Sequence, residues 1–386
     1  MGEIRQMPGP ILCVVGARPN FMKMAPILRA FGARRDLPEA VLIHTGQHYD
    51  AAMNDQVFAG LGLPTPDLNL EVGSGTHAAQ TAEIMKRFEP ALDRYGPSCV
   101  LVVGDVNSTL ACSLVAVKKE VGIIHVEAGL RSFDRRMPEE INRLLTDQLA
   151  DMLYTTERSA HENLAREGIP PERIHFVGNV MIDSLFAHRG RAIAPEATLR
   201  RAGGALDVLS GGRYGVVTMH RPSNVDEPES LAHALGTLSE ASRRLPLVFP
   251  IHPRTRANME KFGLVEFVAG SNIVFIPPQG YLEMLGLMAN ATLVLTDSGG
   301  VQEETTALAV PCITLRDSTE RPITVEQGTN TVVGRDRQLA LALVDEILAT
   351  GGKRGRVPEL WDGRAADRIA EHLAGWLATR HVRLKV

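Results

Sequence analysis

Residues 99–126 read CVLVVGDVNSTLACSLVAVKKEVGIIHV. Cys99–Gly104 is a short, continuously apolar, β-branched run that stops at Asp105. Ser108–Glu120 has a helical pattern, and Gly122–Val126 is a second apolar run that stops at Glu127. Two strands without polar alternation, joined by a helix, describe a parallel pair buried on both faces. The acids that end them stand at strand carboxyl ends, where open α/β sheets bind their ligands.

The same pattern extends in both directions. Pro10–Val15, Ala40–Thr45, Asp151–Thr155 and Arg173–Val177 are strand-like, and Phe21–Ala33, His77–Tyr95, Pro138–Ala150 and Glu157–Gly168 are helix-like. Near Ala187–Gly212 the alternation lapses into Arg, Ala, Gly and Ser, with one helix around Glu196–Leu209. Strands resume at Tyr214–Met219, Pro246–Ile251, Asn272–Ile276, Ala291–Thr296 and Val310–Leu315. Helices follow at Pro228–Arg244, Tyr281–Ala289 and Gln302–Ala309, and two more close the chain near Gln338–Leu348 and Ala365–Thr379. The predicted fold class is α/β, with two Rossmann-like doubly wound domains at residues 1–187 and 213–364 and a linker region at 188–212. Their strand ends would face an interdomain cleft. A chain of 386 residues suits that division.

Composition narrows the function. Forty-one basic and 45 acidic residues give a net charge of -4, with the basic ones spread along the chain, which argues against nucleic acid as the main partner. The longest apolar runs are strand-length, short of the roughly 20 residues a membrane span needs. The first of them ends in Gly-Ala-Arg-Pro, as a buried strand would rather than a signal peptide. Cys13, Cys99, Cys112 and Cys312 lie in apolar surroundings without a CxxC pair, which suits small core residues in a reducing cytoplasm. His44, His48, His125 and His252 lack metal-ligand spacing, so neither a metal nor a cofactor is assigned.

Four charged groups follow separate strand or helix boundaries: Asp105, Glu127, Glu139 in MPEEINR and His220 in GVVTMHRPSN. Together they form a candidate proton-transfer set. Each also has a plainer use. Asp105 can cap the following helix, Glu127 can pair with Arg131, and Glu139 after Pro138 suits a helix start.

Residues 292–308, TLVLTDSGGVQEETTAL, take a strand through Asp-Ser-Gly-Gly into a helix opening at Val301. Ser298, Gly299 and Gly300 leave backbone N–H groups free at a helix N-terminus, a natural diphosphate site. Glu303 and Glu304, turned sideways, can accept ribose hydroxyls. Neither GxGxxG nor GxxxxGK[ST] is present, and no Asp-x-Asp pair is there to hold a divalent cation. Arg18, Lys23, Arg221 and Arg321 are then the candidates to neutralise a diphosphate.

In this order, GARPNFMKMAPIL, HTGQHYD, VVGDVNSTLA, HVEAGLRS, MPEEINR, TMHRPSN, TDSGGVQEE and RDSTERP resemble the non-hydrolysing UDP-N-acetylglucosamine 2-epimerases, from about residue 10 to about residue 334. The resemblance implies the two-Rossmann glycosyltransferase-B fold, with residues 365–386 as a C-terminal helix packing back on the first domain. It assigns UDP binding to Arg18, Lys23, His220, Gln279, Ser298, Gly299, Gly300, Glu304 and Arg321, and matches Asp105, Glu127 and Glu139 to active-site carboxylates. It also implies a UDP-sugar substrate, a homodimer and a part in cell-envelope polysaccharide synthesis. In some members the region around Tyr49 serves UDP-N-acetylglucosamine as an allosteric effector. The chain departs from the commoner pattern at Asn20-Phe21-Met22, Tyr49, Pro222-Ser223-Asn224, Met284 and Ile323.

Inversion at the sugar carbon bearing the acetamido group has no adjoining carbonyl to stabilise a carbanion. The implied route is elimination of UDP to a glycal and re-addition after the proton returns to the opposite face. Asp105 and either Glu127 or Glu139 are the expected proton-transfer groups, with clustered carboxylates raising one another's pKa. His220 stands near the leaving diphosphate. The alternatives are a 2-epimerase acting on a UDP-2,3-diacetamido-glucuronate, a hydrolysing 2-epimerase, a UDP-sugar glycosyltransferase and a non-catalytic nucleotide-sugar sensor.

Overall fold

The computed structural model describes residues 9–47 and 60–383. It divides into two compact units, Met1–Ser184 with Glu359–Val386, and Leu185–Pro358.

The first unit holds a seven-stranded sheet in the order β3-β2-β1-β4-β5-β6-β7. Its strands are β1 Ile11–Val15, β2 Ala40–His44, β3 Leu68–Asn69, β4 Cys99–Val103, β5 Gly122–Ala128, β6 Met152–Thr155 and β7 Ile174–Phe176. The second unit holds a six-stranded sheet in the order β10-β9-β8-β11-β12-β13. Its strands are β8 Gly215–Thr218, β9 Leu247–Pro250, β10 Ile273–Ile276, β11 Leu293–Thr296, β12 Cys312–Thr314 and β13 Asn330–Val332. Every strand pair is parallel. Both sheets are therefore the doubly wound kind that the unbroken apolar strands predict.

Burial explains the pattern. All residues of β1, β4 and β5 are buried, because helices cover both faces of the sheet. Leu12, Val14, Val100 and Val102 share one core with Ile84 and Phe88 of the helix His77–Tyr95. The four cysteines are all buried.

Strand order reverses between β1 and β4 in the first sheet and between β8 and β11 in the second. At such a switch point neighbouring loops diverge and leave a crevice beyond the strand ends. Asp105 follows β4, while His220 and Asp297 follow β8 and β11.

The structure departs from expectation around residues 188–212. They belong to the second unit, in which Leu199 and Val208 are core residues. The helix there runs Pro195–Ala202, ending at Gly203 with φ 69°, and a separate turn covers Leu206–Leu209. Paired glycines stop a helix that composition alone would extend. The helix after β11 starts at Gly299, two residues before Val301. The strands β3 and β13 and the helices Val180–Arg189 and Pro253–Lys261 are additions to the sequence reading.

The closing helix Ala365–Arg383 belongs to the first unit. Asp183 accepts its first amides, Ala365 N at 3.1 Å and Ala366 N at 2.7 Å. Burial pushes the Asp183 carboxyl up to about 6. Trp361 Nε1 donates to the Thr156 carbonyl at 3.0 Å, and the Tyr154 hydroxyl meets His372 Nδ1 at 3.0 Å. No helix among the described residues is long and apolar enough to cross a membrane.

Candidate active site

In the first unit the site is assembled from the ends of β1, β4 and β5. The Gly16–Arg18 turn after β1 is held by Asn20, whose Oδ1 accepts Gly16 N and Ala17 N at 3.1 Å each. Asn20 Nδ2 donates across to the Val103 carbonyl at the end of β4. Gly104 follows with φ 67°, and a Cβ there would lie 2.9 Å from Lys23 Nζ. A side chain there would be strained, and the turn leads directly into Asp105.

Asp105 forms an ion pair with Arg143 Nη1, and its backbone carbonyl accepts from Asn142 Nδ2 at 2.8 Å. Both partners lie on the helix Pro138–Leu149, which carries Glu139 in its first turn. Arg143 also donates to Glu140 Oε2, through Nη2 at 2.6 Å and Nε at 3.1 Å. Glu140 accepts Ser132 N and Phe133 N at 3.0 and 2.9 Å. Burial alone would raise Glu140, but these amides and Arg143 hold its carboxyl below the usual range.

Glu127 sits where the β5–β6 register shifts, between Val126 and Ala128, and has φ 72°. A bulge with a non-glycine residue in the left-handed region re-aims a side chain at some cost in strain, a pattern common at functional sites. The buried Lys23 ammonium lies 2.7 Å from the Glu127 carboxylate.

One expectation is corrected here. Arg131 pairs with Asp147 and Glu167, at 2.7 and 2.6 Å, and Glu127 takes Lys23 instead. Asp105 lies against Arg143 and Glu127 against Lys23. Lys23, expected among the diphosphate cations, is buried against Glu127.

In the second unit Asp297 organises the switch point. It is fully buried and accepts His220 N at 3.1 and 3.0 Å, Arg221 N at 2.9 Å and Asn224 Nδ2 at 3.1 Å. His220 Nδ1 lies 3.2 Å from Asp297 Oδ1. Burial would raise Asp297, yet His220, the Arg221 amide and Asn224 hold it below the usual range. A carboxylate on Nδ1 fixes the ring orientation and leaves Nε2 for a ligand.

Ser298 is the N-cap of the helix Gly299–Leu308, and its amide donates to Thr296 Oγ1 at 2.9 Å. Glu303 pairs with Arg321 Nε at 2.9 Å. Glu320 lies 2.8 Å from Arg316 and 3.5 Å from Arg221. Burial opposes ionisation of Glu320, but the guanidinium groups of Arg316, Arg321 and Arg221 hold it well below the usual range. Glu304 is different: burial pushes it up to about 7, with Glu303 adding to the rise and the Tyr281 hydroxyl opposing it.

The remaining candidates are placed as follows. Arg18 opens the helix Arg18–Gly32, and its side chain lies outside the described residues, as does Tyr49. Gln279 is half-buried and donates to the Pro277 carbonyl at 2.7 Å. Met284 packs on the core of the second unit, which accounts for its apolar character. Gly300 is half-buried behind Ser298. Sequence reasoning passed over Asp297, Arg143, Glu140 and Glu320. Asp297 had a legible signal, an acid directly ending an apolar strand, and Arg143 stands one helical turn beyond Glu139. Among the described residues no group of three or more His, Cys, Asp or Glu is placed to hold a metal ion.

The family model described as UDP-N-acetylglucosamine 2-epimerase matches residues 32–374. A UDP-N-acetylglucosamine 2-epimerase of Methanocaldococcus jannaschii is 41% identical over 363 residues, covering 93% of this chain and 97% of the relative. A UDP-2,3-diacetamido-2,3-dideoxy-D-glucuronate 2-epimerase of Pseudomonas aeruginosa is 41% identical over 369 residues, covering 94% and 99%. The crystal structure of the Methanocaldococcus jannaschii UDP-GlcNAc 2-epimerase in complex with UDP-GlcNAc and UDP superposes with a TM-score of 0.82 at 40% identity, covering 94% of this chain and 99% of that one. With the family model spanning most of its length, this chain belongs to the UDP-N-acetylglucosamine 2-epimerase family.

Proposed function

We propose that this protein is a non-hydrolysing UDP-N-acetylglucosamine 2-epimerase that interconverts UDP-GlcNAc and UDP-ManNAc. A carboxylate takes the C2 proton as the C1–O bond breaks. The C–H electron pair becomes the C1=C2 bond of a glycal, and the C1–O pair leaves with UDP. A proton then returns to C2 on the opposite face as a UDP oxygen re-adds at C1, so the cycle consumes nothing.

One observation carries this assignment: Asp105 and Glu127 stand at the ends of adjacent parallel strands, each against a cation. A two-sided proton transfer needs two such groups. We assign proton transfer to Asp105 and either Glu127 or Glu139, within the amino-terminal domain. His220, oriented by Asp297, serves the departing diphosphate, with Arg18, Arg221 and Arg321 as its cations. Gly299 and Gly300 offer amides and Ser298 its hydroxyl to the diphosphate, Glu304 accepts the ribose hydroxyls, and Gln279 and Met284 border the nucleotide, all in the carboxyl-terminal domain. Lys23 acts on the substrate through Glu127.

The Pseudomonas aeruginosa relative supports a second substrate, a UDP-2,3-diacetamido-glucuronate. We further propose a homodimer in the cytoplasm, serving cell-envelope polysaccharide synthesis. Exposed Val117 and Leu145, with half-buried Leu114, Ile141 and Leu144, make an apolar surface on two neighbouring helices that suits a second copy. UDP-N-acetylglucosamine as an effector would act near Tyr49.

Incubation with UDP-N-acetylglucosamine in heavy water, followed by NMR, tests the chemistry. The expected result is a mixture of gluco and manno UDP-sugars deuterated at C2. Release of free N-acetylmannosamine identifies a hydrolysing enzyme, and a requirement for an acceptor identifies a transferase. Turnover of only the diacetamido uronate favours the second substrate.

A further inference from the structure

We propose that His125 and Asp147 form a buried clamp that sets the spacing of Asp105 and Glu127, with the His125 ring donating from both nitrogens. His125 lies on β5, two residues before Glu127, and both it and Asp147 are fully buried. Its Nε2 is 2.9 Å from the Gly104 carbonyl, the peptide that leads into Asp105. Its Nδ1 is 2.6 Å from Asp147 Oδ1. A carbonyl and a carboxylate are both acceptors, so each contact calls for an N–H on the ring.

The far side of the clamp is equally fixed. Asp147 Oδ2 accepts Gly129 N at 3.0 Å, just beyond Glu127, and Arg131 Nη2 at 2.7 Å. Burial would raise Asp147, but His125 and Arg131 hold its carboxyl below the usual range, so it remains an acceptor. Gly129 has φ 79°, and a Cβ there would meet the Ala160 carbonyl at 2.6 Å, so this turn has little room to shift. Gly104 is tied on its other side as well, its N–H donating to the Val126 carbonyl at 3.1 Å.

The sequence Gly104 carbonyl, His125, Asp147, Gly129 amide therefore spans from the turn before Asp105 to the turn after Glu127. Neither His125 nor Asp147 reaches solvent, and neither is offered to a substrate. They are positioning residues. A sub-ångström shift in the separation of two acids serving opposite faces of one sugar would affect the chemical step more than binding.

The kinetic test rests on the epimerase assignment above, while the spectroscopic test does not. In the full-length protein with ring-15N-labelled histidine, His125 should give two slowly exchanging N–H signals, both absent from His125→Asn. His125→Asn and Asp147→Asn should lose roughly a hundredfold in kcat, the scale of a displaced reacting group, with KM changed by no more than about twofold. A single His125 N–H signal, at Nδ1 alone, overturns the clamp whatever the enzyme's activity, including where both variants fail to fold. Folded variants with wild-type kcat overturn it as well. Absence of epimerisation by the wild type would refute the function and leave the NMR result to decide the clamp.

Discussion

The two switch points handle buried charge in different ways. In the first unit the acids around the strand ends lie against cations: Lys23 for Glu127, Arg143 for Asp105 and Glu140, Arg131 for Asp147. In the second unit Glu303 and Glu320 also lie against arginines, but Asp297 is satisfied chiefly by backbone amides, an asparagine and one histidine, and Glu304 has no cation among its electrostatic partners. An acid that must exchange protons with carbon benefits from a nearby charge that sets its basicity. A group that only has to accept a hydroxyl does not need one. The contrast accords with the proposed division, proton chemistry in the first unit and nucleotide recognition in the second.

The largest effect tests that division directly. Asp105→Asn should lower kcat by about 10³–10⁴-fold, in line with removal of a general acid–base, while UDP affinity by calorimetry stays within about threefold. A parallel loss of UDP affinity would place Asp105 in nucleotide binding and erase the distinction.

The next test concerns Asp297. Asp297→Asn keeps the shape but offers an amide to His220 Nδ1, so the ring loses its fixed orientation. We expect roughly a hundredfold loss in turnover, the scale for an orienting carboxylate behind a functional histidine, together with weaker UDP binding. Unchanged UDP affinity would make His220 a group that acts only on the chemistry.

Arg143→Lys sharpens the first half of the comparison. Arg143 reaches Asp105 with one nitrogen and Glu140 with two others, a fork that a lysine cannot reproduce. Turnover should fall about tenfold, less than for loss of the acid itself, because a charge remains near the site. Urea unfolding, read separately, shows how much of the loss is structural, since Glu140 also holds the Ser132–Phe133 backbone.

Much of this was legible in the sequence, for physical reasons. Buried parallel strands are unbroken apolar runs, so β1, β4, β5, β8 and β11 announced themselves, and with them the strand-end residues Asp105, Glu127 and His220. The helix start at Ser298-Gly299-Gly300 was legible because small residues there have few other uses. Pairing was not. Arg131 and Lys23 both had plausible acids, and only the bulge at Glu127 decides that Lys23 takes it. Asp297 was visible as a strand-ending acid, but its partners come from a loop 70 or more residues earlier, a distance that no local pattern records. The mixed composition of residues 188–212 concealed a packed helix, whose buried residues are only Pro195, Thr198 and Leu199.

The smallest effects are the pH slopes, and the two units should show opposite signs. Glu304, pushed up to about 7 from an ordinary 4.5, keeps its proton in the folded state where the unfolded chain has released it. Its contribution is present below pH 4.5 and fades as pH rises through about 7. Glu304→Gln should therefore gain stability on the wild type across that rise. In the first unit His175 stacks on His372 with ring centres 3.8 Å apart, and burial, then the charge of His372, pushes His175 down to about 4. Burial also lowers His372. Stability from the neutral pair is present above pH 6.5 and is lost as pH falls toward 4, so His175→Gln should lose less on acidification than the wild type. Each shift should be only a few degrees in thermal midpoint for units of this size. Differential scanning calorimetry from pH 4 to pH 8 reads both effects. Slopes of the same sign in the two variants would show that the units do not differ in how they treat buried charge.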